Sequence, residues 1–411
     1  MLLLLACTSN PVDTAHPTVP WSGDRPPLQA EAQGMQWRRG LIHMHSPYSH
    51  DACDGDGLPD GQVNEDCLAD LREAMCRLSL DFVYLTDHPS YAAEQPYQDT
   101  KLLRDDDEDL GYASRLACGT VVLPGFEDEL MPVGMESHLA ERSTYDASDA
   151  DAIAQMTAAG GFVLQAHSEW RELELLAERI ANGMGGMEIY NLHAMFDPNI
   201  REEDLGLDRL GWMEDMEPFT SGEAEPDLFF LVVHQEQGPS IASFDSLWQS
   251  HDVVGTAGTD AHQNVMPLEM DDGERVDSYR RMMSWFSNWL LTDATQPQDY
   301  DEALAAGRSA IVFEVLGTPD TVDVHLEGDS LEVHCPVLSE SSPYQGEPPE
   351  IEVTIYKDGA PWKTECGSHE TEGPGVYRVA YTITPTHLAD FAPAEFIRPY
   401  PWIYVQPMRV P

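Results

Sequence analysis

Short apolar runs alternate with polar segments between residue 40 and residue 262. The runs cover residues 40–45, 81–88, 120–127, 161–167, 187–191 and 253–262. Continuous apolar runs are typical of strands that are buried on both faces, as in parallel sheets and barrels. The pattern therefore predicts an α/β fold in which these runs are the parallel strands.

Other segments fill in the predicted barrel. Residues 65–78 show helical periodicity, with one apolar face formed by Leu68, Leu71, Met75 and Leu78. Residues 276–291 are rich in methionine and aromatic residues and predict a helix that packs in the core. The acidic stretch 199–250 mixes different hydrophobic periods, and we expect a mainly helical segment there, outside the barrel strands. The apolar run 310–317 predicts the seventh strand, which closes the barrel.

The pattern changes to strict alternation after about residue 318. Alternating segments separated by Gly, Pro, Ser and Asp turns cover residues 321–326, 330–335, 351–356, 377–383 and 400–405. Short strands at this spacing indicate a small antiparallel β-sandwich. We therefore expect a tether at residues 1–36, a barrel at 37–318 and a C-terminal β-sandwich domain at 319–411.

Most of the predicted barrel strands end in a residue that can bind a metal. The first ends in His43 and His45, whose i, i+2 spacing places both imidazoles on one face of a strand. The later ends supply Asp87 with His88, Glu127, His167, and Asp260 with His262. In barrels, functional groups gather at the C-terminal ends of several strands. Five such ends in one chain favour a metal site over a set of ordinary polar residues.

In this order the motifs resemble those of the PHP (polymerase and histidinol phosphatase) family. The resemblance covers about residues 37 to 318. It implies a distorted seven-stranded (β/α) barrel that binds two or three divalent metals (zinc, manganese or iron) and hydrolyses phosphoester bonds. The implied metal ligands are His43, His45, His88, Glu127, His138, His167, Asp260 and His262.

The resemblance also implies a ninth ligand and a set of catalytic roles. The ninth ligand falls at Ser49-His50-Asp51, where the family uses Asp or His, and we favour His50 slightly over Asp51. Glu127 and Asp260 would hold metals that generate hydroxide from a bound water. Asp87 would orient the metal ligand His88.

Composition restricts the substrate. The chain has 22 Lys and Arg against 73 Asp and Glu, a net charge of −51, and such a chain repels nucleic acid. We therefore expect a small phosphorylated substrate, with Arg142, Arg171 and His193 as candidate contacts, although surface ion pairs or backbone caps explain these residues more simply. Two alternatives stay open: a lipid-anchored protein that binds metal or ligand without turnover, and hydrolysis of a non-phosphate bond.

The first residues predict a lipid anchor. Leu4-Leu5-Ala6-Cys7 resembles the bacterial lipobox, in which the cysteine is lipid-modified after signal cleavage. Residues 8–36 are rich in Pro, Thr, Ser, Gln and Ala and predict a flexible tether. We expect export to the bacterial cell envelope, in the periplasm or on the outer membrane, with the lipid as the membrane contact.

The remaining cysteines predict three disulfides. On the predicted helix, Cys67 and Cys76 would lie about 13.5 Å apart, beyond the roughly 7 Å that a disulfide can bridge. Cys67 lies at the helix start, near the top loop with Cys53. Cys76 lies near the barrel bottom, where Cys118 precedes the third strand. We therefore expect the disulfide pairs Cys53–Cys67, Cys76–Cys118 and Cys335–Cys366.

Overall fold

The computed structural model describes residues 21–293, 295–339, 342 and 348–411. As predicted, strands and helices are mixed. Up to residue 312 the strands are β1 Glu31–Ala32, β2 Met35–Ile42, β3 Phe82–Tyr84, β4 Glu108–Asp109, β5 Ser114–Arg115, β6 Val121–Leu123, β7 Met131–Val133, β8 Phe162–Gln165, β9 Gly186–Asn191, β10 Val254–Gly258, β11 Ser287–Leu291 and β12 Ser309–Val312. The α-helices are α1 Glu65–Arg77, α2 Pro89–Ala92, α3 Ala150–Ala158, α4 Leu173–Ala181, α5 Glu217–Thr220, α6 Gly238–Leu247, α7 Tyr279–Met283 and α8 Pro297–Ala305.

The strand pairings of this half form a closed ring. Strand β2 pairs in parallel with β3, and β3 with β6. A bridge between Gly125 and Val133 connects the segment after β6 to β7, which is antiparallel to β8. Strands β8, β9 and β10 are again parallel. The pairing of Gly258 in β10 with Ile42 in β2 closes the ring.

The ring strands are apolar because both of their faces are covered. Every residue of β3, β6, β9 and β10 is buried. Alternate residues enter different apolar clusters: Leu41 and Val83 join one cluster, whereas Ile42 and Phe82 join a second cluster that includes Tyr300 of α8. Burial on both faces explains why the sequence shows continuous apolar runs.

Two predicted elements near the end of this half are wrong. Residues 276–291 form the short helix α7 followed by strand β11, not one helix. The run 310–317 contains β12, which pairs antiparallel with β11 and with the C-terminal strand Tyr400–Val405 and does not close the ring. Because this segment is buried on all sides, its apolar pattern could not distinguish helix from strand or assign a partner.

The C-terminal part is antiparallel, as the alternation predicts. Its strands are β13 Val324–Glu327, β14 Ser330–Val333, β15 Glu350–Lys357, β16 Ala360–Lys363, β17 Gly367–Glu370, β18 Gly375–Thr384, β19 Tyr400–Val405 and β20 Met408–Val410. Strands β13, β14 and β17 form a small sheet. The other strands extend the barrel sheet through the β12–β19 pairing, and Trp402 Nε1 donates to Gly317 O at 2.8 Å. One apolar core therefore continues from the barrel into this part.

The predicted disulfides are confirmed. The pairs Cys53–Cys67, Cys76–Cys118 and Cys335–Cys366 have Cα–Cα separations of 6.1, 5.7 and 5.5 Å. Helix α1 begins after Asn64, whose side chain accepts from Cys67 N, so Cys67 and Cys76 lie at opposite ends of one helix. The first two disulfides therefore connect these ends to different loops.

The stretch 199–250 is mainly helical, as predicted. It contains α5, α6 and several shorter helical turns. In the part of the chain that the structure describes, no helix is long and apolar enough to cross a membrane. The predicted lipobox with Cys7 lies outside the described residues.

Candidate metal centre

One edge of the strand ring collects the metal-capable side chains. His43 and His45 follow β2, His88 follows β3, Glu127 follows β6, His167 follows β8, and Asp260 and His262 follow β10. The strands that these residues follow run parallel, so their carboxyl ends meet at the same edge.

Several of these residues lie in an unusual backbone conformation. His43, His167 and Asp260 have φ angles of 66°, 50° and 52°. Residues other than glycine adopt such left-handed conformations at a cost of about 1–3 kcal/mol and do so mainly at functional sites. The turns are held in place by neighbouring strand ends, since Asp260 N donates to His43 O at 3.0 Å. The fold thus imposes sharp turns just after the strands, where the ligand-bearing side chains begin.

Asp260 is at the centre of the histidines. Its Oδ1 lies 3.3 Å from His43 Nε2 and 3.4 Å from His45 Nε2. Its Oδ2 lies 3.2 Å from His167 Nε2 and 3.4 Å from His193 Nδ1. Two atoms that bind one zinc ion at 2.0–2.1 Å in tetrahedral geometry are about 3.4 Å apart. The spacing around this buried carboxylate therefore fits shared metal ions.

A second group forms around Asp51. His45, Asp51, His88 and His262 each offer a ligand atom, and these atoms lie within 4.8 Å of one another. Asp51 Oδ2 is 3.2 Å from His262 Nε2 and 3.6 Å from His88 Nε2.

The preference for His50 as the ninth ligand has to be corrected. His50 is exposed, and its Nδ1 lies 3.0 Å from Ser90 Oγ instead of facing the group. Asp51 is directed inward because its carbonyl accepts from Asn264 Nδ2 and its carboxylate accepts from Ser49 Oγ.

The Nδ1 atoms of the principal histidines are already hydrogen-bonded. Their partners are Glu188 Oε1 for His43, Ser49 Oγ for His45, the Glu127 carbonyl for His88, Glu169 Oε1 for His167 and the Asp260 carbonyl for His262. A hydrogen bond at one ring nitrogen fixes the tautomer and leaves the other nitrogen as a metal ligand. In every case the nitrogen left over is Nε2.

Several of these ligand nitrogens have no protein partner. Among the described residues, Nε2 of His43, His45 and His262 and Nδ1 of His193 are buried without a hydrogen-bond partner. An unpaired buried polar atom costs about 1–3 kcal/mol. Imidazole and carboxylate donors suit zinc, manganese or iron. The donor set and its unsatisfied nitrogens therefore fit divalent metals.

Glu127 faces more than one part of the cluster. Its Oε2 lies 3.2 Å from His88 Nδ1 and 3.8 Å from His43 Nε2, while its Oε1 lies 3.6 Å from His167 Nε2. Burial raises the pKa of its carboxyl group, against the lowering effect of the His43 charge. A buried carboxylate with oxygens directed at different histidines has the arrangement of a bridging ligand.

Asp87 does not orient His88. Its carboxylate instead accepts from Ser46 N at 2.5 Å and from Ser46 Oγ at 2.7 Å, and burial raises its pKa to about 6. The predicted role is therefore corrected: Asp87 stabilises the turn that follows His45. His88 is oriented by the Glu127 carbonyl, at 2.9 Å.

Three other predicted site residues lie outside the metal-capable groups. His138 Nε2 donates to Gln95 O at 2.9 Å. Arg142 pairs with Asp146 at 2.7 Å, and Arg171 pairs with Glu129 at 3.2 Å. The fourth candidate, His193, joins Asp260 and His262 in a further group. Structural hydrogen bonds and ion pairs thus explain the first three.

Sequence reasoning missed Glu188. This buried residue of β9 accepts from His43 Nδ1 at 2.6 Å with one oxygen and from His167 N at 2.9 Å with the other. A Cβ at Gly258 would lie 1.9 Å from Glu188 Oε1, so this position requires glycine. The available signal was a carboxylate inside an otherwise apolar strand.

Comparison with known proteins gives distant structural neighbours. No protein-family model and no curated protein sequence matches the chain. A two-domain protein from Bacteroides vulgatus with a predicted PHP-like metal-dependent phosphoesterase has 14% identity and a TM-score of 0.43, over 94% of this chain and 99% of that one. The similar structures thus include a PHP-like protein.

Two further structures are similar over about two thirds of the chain. PsfC from Pseudomonas syringae has 13% identity and a TM-score of 0.41, over 68% of this chain and 92% of that one. The lesion-specific endonuclease PfuEndoQ from Pyrococcus furiosus has 12% identity and a TM-score of 0.35, over 67% of this chain and 58% of that one. Functional assignment therefore depends on the site itself.

Replacing Glu188 with glutamine should weaken metal binding by about 10–100-fold, the usual effect of losing a carboxylate behind a histidine ligand. The amide keeps the shape of the side chain but removes the charge that makes His43 a stronger donor. Competition with a chromophoric chelator measures the affinity. Glu236→Gln is a matched control, because Glu236 is exposed, accepts from Tyr404 Oη and is in none of the metal-capable groups of the described residues. Equal affinities in the two variants would contradict this role.

Metal affinity should increase with pH. Burial lowers the pKa of His45 and His262, but at His88 nearby carboxylates outweigh burial: Asp51 and Glu127 raise its pKa to about 9. Glu188 and Asp260 likewise raise the pKa of His43 well above its usual range. Binding must then displace protons, so affinity should rise about tenfold per pH unit for each proton displaced. Calorimetry in buffers of different ionisation enthalpy counts these protons, and an affinity that is constant with pH would contradict the expectation.

Proposed function

We propose that this chain is a metal-dependent hydrolase of phosphoester bonds that uses two or three divalent ions, zinc, manganese or iron. One observation carries the proposal. The imidazoles of several strand ends, each with Nδ1 hydrogen-bonded, direct Nε2 at Asp260, Glu127 or Asp51. The order of these residues along the chain resembles the PHP motifs, whose known chemistry is phosphoester hydrolysis.

The side chains would have different roles at such a centre. Divalent ions bound here would supply hydroxide at neutral pH and positive charge beside a phosphoryl group. Asp260 presents its two oxygens to different histidines, which allows it to hold neighbouring ions together. Glu188, Glu169 and Ser49 fix the ring orientations of His43, His167 and His45. The protein thus contributes a rigid arrangement of donors.

A small phosphorylated molecule is the proposed substrate. Arg142 and Arg171 are both paired with carboxylates, so neither is a ready phosphate ligand. The net charge of −51 disfavours a polyanion such as nucleic acid, whose binding depends on many cationic side chains. A single phosphoryl group can instead be held by the positive charge of the bound ions.

A substrate panel tests this proposal. The protein, loaded with manganese, zinc or iron, is assayed against small phosphomonoesters, small phosphodiesters and single-stranded DNA. We expect turnover of a small ester and little or none of DNA. Efficient DNA cleavage would contradict the charge argument. Absence of turnover with bound metal would favour a metal-binding protein without catalysis.

We also propose that the protein is attached to the bacterial cell envelope through a lipid on Cys7. The lipobox-like Leu4-Leu5-Ala6-Cys7 supports this, and disulfides agree with an oxidising compartment. Expressed in a bacterium with the lipoprotein pathway, the protein should partition into detergent, and Cys7→Ser should release it into the soluble fraction. Soluble wild-type protein would contradict the anchor.

A further inference from the structure

His193 has an unsatisfied nitrogen at the centre of the cluster. Its Nδ1 is buried and, among the described residues, has no hydrogen-bond partner. The nearest carboxylate oxygen is Asp260 Oδ2, at 3.4 Å. That separation is longer than the 2.7–3.2 Å usual for an N–H···O hydrogen bond. It equals the roughly 3.4 Å expected for two ligand atoms that share a tetrahedral ion.

Contacts of the ring and of the adjoining turn hold His193 in this orientation. It stacks on Phe196, with centroids 5.3 Å apart and an interplanar angle of 9°. The preceding residue, Leu192, donates to Gly258 O at 2.9 Å, and Ala194 N donates to Asn191 Oδ1 at 3.0 Å. The first bond ties the turn after β9 to the adjacent end of β10, and the second closes the turn itself. The position of Nδ1 is thus fixed by the same strand ends that position Asp260.

His138 shows the opposite arrangement. Its Nε2 donates to Gln95 O at 2.9 Å, and its ring contacts the aromatic rings of Tyr97 and Phe126. It belongs to none of the metal-capable groups of the described residues. To become a ligand, His138 would have to give up its backbone hydrogen bond and leave its aromatic neighbours.

We propose that His193 is a direct ligand of the metal cluster, binding a divalent ion through Nδ1 together with Asp260 and His262, and that His138 is not a ligand. The ligand atoms of this trio lie within 4.8 Å of one another. Asp260 also belongs to the group with His43 and His45, and its two oxygens can be shared, so His193 adds a terminal ligand beside that group. This inference rests on the metal-binding part of the proposed function and is independent of the bond that is hydrolysed.

Metal analysis of matched variants tests the inference. His193→Ala and His138→Ala are each loaded with zinc or manganese and freed of excess metal. Bound metal per chain is then measured by mass spectrometry, and affinity by chelator competition. His193→Ala should lose one ion or bind it more than about tenfold more weakly, and His138→Ala should match wild type. Cobalt substitution gives a second readout, because losing a nitrogen ligand changes the visible spectrum.

The opposite results would overturn the inference. Unchanged metal content, affinity and cobalt spectrum in His193→Ala would show that this residue is not a ligand. Metal loss in His138→Ala would restore the ligand set that the sequence motifs imply. If His193→Ala fails to fold, His193→Gln serves instead, with circular dichroism as the check. Because metal is measured without turnover, a protein that binds metal through His193 but hydrolyses no ester would contradict only the proposed function.

Discussion

Replacing Asp260 with asparagine should reduce the proposed phosphoester hydrolysis by about 10³-fold or more, because stabilisation by bound metal is worth several kcal/mol. Asp260 Oδ1 and Oδ2 lie 3.2–3.4 Å from ring nitrogens on both sides of the cluster. The amide keeps the size of the side chain but removes its charge, and it bridges metals poorly. Metal content should fall together with the rate of hydrolysis.

A second buried carboxylate provides the control for this variant. Asp301 accepts hydrogen bonds from Tyr84 and Tyr112 and belongs to none of the metal-capable groups that the described part of the chain contains. Asp301→Asn should therefore keep wild-type metal content and activity. If Asp260→Asn also kept full, chelator-sensitive activity, the cluster would not be the site of hydrolysis.

Replacing Asp227 with asparagine should lower the free energy of unfolding by about 3–5 kcal/mol, the usual result of breaking a buried ion pair. Asp227 accepts from Arg280 at 2.6 and 2.8 Å and from Arg281 at 2.6 Å, and all three residues are buried. The variant leaves Arg280 and Arg281 with only the more exposed Glu274 and Asp272 as ion-pair partners. The helical segment 199–250, which contains Asp227, would then be held less firmly against α7.

The loss should depend on pH. Burial alone would raise the pKa of Asp227, but the hydrogen bonds and charges of the two arginines lower it from 3.8 to about 2. A carboxyl whose folded pKa is lowered stabilises the fold above its unfolded pKa. That stabilisation is lost as the pH falls towards the folded value. The difference between wild type and variant should therefore be complete at neutral pH and shrink below about pH 4.

Urea unfolding, followed by tryptophan fluorescence with the disulfides intact, measures this difference. Asp146→Asn is a suitable control, because Asp146 and Arg142 form an exposed pair whose loss should cost at most about 1 kcal/mol. Equal losses in the two variants at neutral pH would show that the buried Asp227 network does not stabilise the fold.

Parts of the fold and site could be predicted because their signals are local. The parallel strands of the ring were visible as apolar runs, whereas the antiparallel β7 was not predicted. The same runs located the metal-capable residues, since a strand end and its next residues are adjacent in sequence. The disulfides followed from the length of α1, which separates Cys67 from Cys76. Each of these inferences needed only a short stretch of chain or one helix dimension.

The errors arose where distant segments decide the outcome. Nothing near residue 310 indicates that β12 pairs with β19, some ninety residues later along the chain. The choice between His50 and Asp51 depends on Asn264. This residue lies far from the motif in sequence, and its side chain donates to the Asp51 carbonyl. The carboxylate of Glu188 inside an apolar strand was a visible signal, but its role could be assigned only once β9 was placed beside β10 and Gly258 left room for the carboxylate.

The most direct test of the account is the metal dependence of hydrolysis in wild type and Asp260→Asn. Purified protein is stripped with chelator, assayed on the best ester of the panel, reloaded with manganese, zinc or iron, and assayed again. The account predicts that wild type loses activity on stripping and regains it with bound metal, while Asp260→Asn stays inactive. Activity that survives complete removal of metal, or that is equal in the two proteins, would contradict it.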